Sequence, residues 1–195
     1  MRLPKTAHTE RPWRIHEIAP DFTLEDVWAL PTPGGPDELP RLVRQFVSEH
    51  SDVEPPVVYR FLFALRWKLG GLLGWDKPEN GIGARVTSLR ERLPDDLLAG
   101  PRGPEIATVP FTSLYQTDTE WAAEMGNQTC HGVMHISWVP DENGGYRGQM
   151  AVLVKPNGVF GQVYMLGIKS CRYLAVYPAL MRMIGREWRQ GAPAT

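Results

Sequence analysis

His131 and His135 are the residues whose type best suits proton or metal chemistry, and their spacing decides which is open to them. They lie in Thr129-Cys130-His131-Gly132-Val133-Met134-His135-Ile136-Ser137-Trp138-Val139, where the pattern alternates in period two. On a strand, residues four apart are separated by about 13 Å, too far for two imidazoles to share one metal ion. On a helix the same spacing would make a ligand pair. The alternation selects the strand, so no metal is expected, and each imidazole is a hydrogen-bonding group or general base on a sheet face. Cys130 adjoins His131, but neighbours on a strand point to opposite faces, which rules out a thiolate–imidazole pair. Asp95-Asp96 and Asp141-Glu142 read as turn carboxylates. Asn80-Gly81-Ile82-Gly83 lacks the preceding strand and the Gly-Lys-Ser/Thr that a phosphate loop requires. No serine-centred nucleophile elbow occurs. The sequence shows no catalytic constellation and implies no cofactor.

The element that must position the histidines is a β-hairpin. Tyr146 to Lys155 alternates like the histidine strand, and Asp141-Glu142-Asn143-Gly144-Gly145 joins the two. Pairing Met134 with Val152, Ile136 with Met150 and Trp138 with Gly148 gathers one apolar face, with the Trp138 ring over the bare glycine. His131 then opposes Lys155, His135 opposes Ala151 and Ser137 opposes Gln149 on a mostly polar face. A one-residue slip would mix the two faces. After Pro156-Asn157-Gly158 the period becomes helical, which predicts a C-terminal helix over 159–190, kinked near Pro178.

Composition limits the rest. A chain of 195 residues that is 43% hydrophobic can bury one good core, so residues 1–195 are expected to form a single domain. The net charge of -1 gives no reason to expect nucleic-acid binding. Cys130 and Cys171 have no metal-ligand spacing and read as small core residues in a reducing compartment. No secretory signal and no membrane span is legible, and a cytoplasmic protein is expected.

In the N-terminal half, residues 12–30 are expected to supply a first strand (Trp13 to Ile18) and a short helix opening at Thr23-Leu24-Glu25-Asp26. Helices are expected to fill 37–93, from Asp37 to His50, from Pro56 to Trp75, and after the capping box Ser88-Leu89-Arg90-Glu91. The stretch from Val57 to Trp75 holds Arg60, Arg66 and Lys68 but no acidic residue. It reads as a core-packing helix with snorkelling basic side chains, or as a basic amphipathic helix on a membrane surface. Antiparallel strands are expected over 111–155. Thr117 to Asn127 is readable either as a capped helix or as a strand between turns.

The strand Cys130 to His135, followed by Gly161-Gln162-Val163-Tyr164-Met165 and Tyr177-Pro178-Ala179-Leu180-Met181-Arg182, resembles an uncharacterised family. That family belongs to the START-like, birch-pollen-allergen-like (SRPBCC) helix-grip superfamily. The resemblance covers about Phe111 to Trp188. It implies an α+β helix-grip fold, with a curved antiparallel sheet wrapped around a long C-terminal helix and extra helices inserted in the N-terminal half. It also favours a strand at Glu120 to Met125. Some relatives are fused behind a dehydrogenase-like module.

Met and aromatic residues converge on the sheet and the crossing helix, where an unfilled gap would suit an apolar ligand. The expected function is binding of a small apolar or aromatic molecule between sheet and helix, in a cavity lined by Met134, Ile136, Trp138, Met150, Val152 and Tyr164. Polar contacts would come from His131, His135 or Arg147. The alternatives are an enzyme of cyclase or hydratase type, for which these three are the candidate groups, and an interaction module for a dehydrogenase or a membrane surface.

Overall fold

A computed structural model describes residues 1–48, 82–83, 86–106, 110–158, 173 and 176–191. Its elements run α1 (Thr6–Thr9), α2 (Ile15–Ile18), β1 (Thr23–Ala29), α3 (Leu39–Val47), a 3-10 turn (Leu89–Arg92), α4 (Asp95–Ala99), β2 (Thr112–Gln116), β3 (Glu120–Gly126), β4 (Cys130–Pro140), β5 (Tyr146–Pro156) and α5 (Tyr177–Gln190). The strands form an antiparallel sheet in the order β1-β5-β4-β3-β2, so the architecture is mixed α+β. The expected helix over Pro56 to Trp75 and the first part of the C-terminal helix, with Tyr164, lie outside the described residues.

The β4–β5 hairpin has the register that its alternation dictates. Met134 opposes Val152, Ile136 opposes Met150, and His135 opposes Ala151. At the turn, Asp141 Oδ1 accepts from the backbone N–H of Asn143 (2.8 Å) and of Gly145 (2.9 Å). Gly144 takes φ 81° there, a conformation open to glycine. Trp138 opposes Gly148 as expected, and the atoms nearest to where a Cβ of Gly148 would stand belong to Leu42, Leu30 and Thr32. The Trp138 indole donates to the Gly35 carbonyl (2.8 Å) and packs on Trp188.

Two expectations for residues 12–30 are reversed. Trp13 to Ile18 was expected as strand, but Ile15 and Ile18, three apart and fully buried, lie on one side of the helical turn α2. Thr23 to Asp26 was expected to open a helix, but it belongs to β1. Its local capping signal loses to ladder bonds along the outer edge of β5, which would otherwise stay unpaired. Residues 117–127 resolve as a strand between turns, Glu120–Gly126, for a similar reason, since β3 is paired on both sides. Thr117 Oγ1, which could have capped a helix, accepts from the backbone N–H of Glu120 (3.1 Å) in the β2–β3 turn.

Both faces of the sheet are covered. On one, Trp28, Trp121, Ile136, Trp138 and Met150 pack with Leu39 and Leu42 of α3 and with Tyr177, Ile184 and Trp188 of α5. On the other, Val27, Tyr115, Ala122, Val133, Ala151 and Leu153 pack with Trp13, Ile15 and Ile18 and with Leu89, Leu93 and Leu97. The face read as polar is therefore a buried one, because the N-terminal residues and the 88–99 segment close over it.

Candidate functional site

The buried polar face contains two carboxylate–imidazole pairs, and the register explains both. In the β3–β4 ladder Glu120 opposes Ser137 and Glu124 opposes Val133. Each glutamate is thus the diagonal neighbour of a histidine on the same face, a separation that long side chains bridge. His135 Nε2 lies 2.7 Å from Glu120 Oε2, and His131 Nε2 lies 2.7 Å from Glu124 Oε2. The sequence carried a signal for this: glutamates four apart on one strand match histidines four apart on an antiparallel neighbour. It went unread because residues 117–127 could not be assigned locally.

Glu120 collects further donors. The Tyr115 hydroxyl donates to Oε2 (3.1 Å) and the Arg14 backbone N–H to Oε1 (3.0 Å). Burial pushes the Glu120 carboxyl upward, but His135 and the other donors outweigh it and hold the group below the ordinary carboxylate value. Glu124 shows the same balance, with burial opposed by His131, the Leu89 backbone N–H (3.0 Å) and the Ser88 hydroxyl (2.5 Å). Burial first, and the Glu120 charge second, push Tyr115 well above the ordinary phenol value.

The first pair extends into the N-terminal segment, where His8 Nε2 lies 3.1 Å from His135 Nδ1. With Glu120 accepting from His135 Nε2–H, a neutral His135 ring accepts at Nδ1 and His8 Nε2–H donates. His8 Nδ1 is then a lone-pair nitrogen, buried and without a hydrogen-bond partner. Burial, then the neighbouring His135 and His16, lower the His8 pKa to about 2. His8 and His135 are 0% exposed and Glu120 is 3% exposed. The chain can relay a proton internally, but it presents no group to a molecule in solvent while the N-terminal segment covers it.

The opposite face offers a different arrangement. Asp26 opposes Val152 and Val152 opposes Met134, which in turn opposes Ala123, so these four form a row across the sheet. The next row, Trp28, Met150, Ile136 and Trp121, is buried throughout, whereas Val152 and Met134 keep partial exposure. Asp26, 1% exposed, accepts from the Tyr177 hydroxyl (2.9 Å) and from the Tyr173 hydroxyl. The Trp28 ring lies 4.6 Å from that of Tyr177, and its buried Nε1–H has no hydrogen-bond partner. The Arg2 guanidinium sits 4.4 Å over the Tyr173 ring.

The expected ligand-lining residues Met134, Ile136, Trp138, Met150 and Val152 thus share this face, with Ile136, Trp138 and Met150 committed to core packing. The expected polar contacts do not join them. His131 and His135 are on the other face in their glutamate pairs. Arg147, opposite Val139, also belongs to that face, and its guanidinium donates to the Gly148 carbonyl (3.3 Å). Burial lowers its pKa against the raising effect of Asp141. The polar residues that do reach the apolar face, Asp26, Tyr173 and Tyr177, were missed because Asp26 lay in a stretch read as a helix start.

Residues 18–179 match the family model described as protein of unknown function (DUF2867). The chain belongs to this family. The match takes in the whole sheet and begins after His8 and Trp13. Neither a curated protein nor a solved structure matches the chain significantly. Among the described residues no helix is long and apolar enough to cross a membrane, and no group of three or more His, Cys, Asp or Glu could hold a metal ion.

Proposed function

We propose that this protein binds a small apolar or aromatic molecule between the apolar sheet face and the C-terminal helix, on a helix-grip scaffold of the START-like kind. The observation that carries the reading is the row Asp26–Val152–Met134. A buried carboxylate held by two phenols ends a line in which the apolar side chains of Val152 and Met134 are only partly buried. An apolar surface with a few convergent polar groups is the usual composition of a small-molecule site. The body of the ligand would lie on Met134 and Val152, with a hydrogen-bonding group toward Asp26, Tyr173 and Tyr177. The strand order supports the scaffold, since β1 pairs with the last strand and α5 packs on the face where the ligand would lie.

A second reading, catalysis of cyclase or hydratase type at the same place, is favoured by the same group. The Tyr177 hydroxyl donates to Asp26, so it can pass its proton to the carboxylate as its oxygen takes one from a bound molecule, and the reverse transfer returns it.

Titration with the neutral fluorescent probe N-phenyl-1-naphthylamine tests the site. Binding should quench tryptophan emission, and Val152→Trp, which fills the row, should weaken binding at least tenfold while leaving the far-UV circular dichroism unchanged. Equal affinity for both proteins would remove the site.

A further inference from the structure

We propose that the N-terminal residues 1–18 form an acid-released strap over the sheet, with His8 as the group that senses the proton. The strap is attached along one sheet edge and over one sheet face, and Arg14 also pairs with Asp96 of α4 (2.6 Å). Met1 and Leu3 pair along the outer edge of β1, through Ala29 N–H to Met1 O (2.7 Å) and Leu3 N–H to Val27 O (2.8 Å). These backbone bonds do not titrate. The remainder lies over β3 to β5, where Trp13, Ile15 and Ile18 enter the core, Gln149 Nε2 donates to Ala7 O (3.3 Å), and His8 meets His135.

The surroundings of His8 make a proton there costly. From α2 it faces His16, with ring centroids 4.8 Å apart, and from β4 it faces His135 at 5.0 Å. Glu120 of β3 lies one imidazole further away and already accepts from His135, from Tyr115 of β2 and from Arg14 N–H. A cationic His8 would need an acceptor at each nitrogen, and Nδ1 has none. Opening the strap relieves this by hydrating the ring. Because the released imidazole titrates at its ordinary value, opening becomes favoured about tenfold per pH unit once pH falls below ~6.5. Release would uncover His135, Glu120 and Tyr115, on the face opposite the proposed ligand site. The strap lies outside the stretch that matches the family model, apart from its last residue, Ile18.

Amide hydrogen exchange of the full chain, corrected for intrinsic rates, tests this. Between pH 6 and pH 5 the opening constant for peptides within 4–18 should rise about tenfold, while β4 and β5 stay unchanged. His8→Gln should flatten that slope and His16→Gln should keep it. Unchanged strap protection from pH 7.5 to pH 5 in the wild type would overturn the proposal, as would an undiminished slope in His8→Gln. Should His8→Gln already be open at pH 7.5, nitrogen-15 spectra of the wild-type histidines decide. A His8 ring that stays neutral at pH 5 in the docked protein supports the strap, and one that titrates near 6.5 while docked refutes it.

Discussion

Glu120→Ala should be among the most destabilising single changes in the chain. The carboxylate is 3% exposed and accepts from His135 Nε2, the Tyr115 hydroxyl and the Arg14 backbone N–H. Truncation leaves three donors without their acceptor, at roughly 1–3 kcal/mol each. Entry of water into the vacated space recovers part of that, leaving a loss of about 4 kcal/mol in total. Glu120→Gln keeps the shape and one acceptor oxygen, so about half that loss is expected. Urea unfolding followed by tryptophan emission reads the difference. With m of about 2 kcal/mol/M, the midpoint should fall by about 2 M in Glu120→Ala and about 1 M in Glu120→Gln, with m unchanged. A second measure comes from combining Glu120→Ala with His135→Ala. The double variant should lose clearly less than the sum of the singles, because the two side chains share one interaction. A midpoint shift below about 0.5 M for Glu120→Ala would mean that the pair behaves like a solvated surface contact, and the reasoning would fail.

Two further outcomes follow from the same structure. Glu120 and Glu124 are both held below the ordinary carboxylate value, so their stabilisation is fully present above about pH 4.5 and is lost as pH falls below it. Stability measured from pH 6 to pH 3 should drop in the wild type and more shallowly in Glu124→Gln; equal slopes would contradict the assignment. Gly148→Ala should cost about 1–3 kcal/mol, since an added Cβ would stand 2.5 Å from Leu42 and 2.9 Å from Leu30, and thermal melting checks it. No loss there would show that Leu42 and Leu30 can move aside.

The hairpin was legible in the sequence because its information is local. The alternation in β4 and β5, with an Asp-Glu-Asn-Gly-Gly loop between, leaves one register that keeps the faces separate. From that register alone, Met134, Ile136 and Trp138 had to share a face and His131 and His135 the other. Short segments were decided differently. Thr23–Ala29 opens on a helix-start signal and Glu120–Gly126 follows one at Thr117, yet each is strand because the edge of a neighbouring strand supplies its hydrogen bonds. Glu120 and Glu124 could therefore not be matched to the histidines until β3 had a partner. Burial of the polar face depended on residues more than a hundred positions away, with His8 meeting His135 and Arg14 meeting Glu120. Residue types and period two determined which side chains share a face. What covers each face, and hence whether a histidine meets water or a carboxylate, was decided by packing between distant segments, which no local pattern encodes.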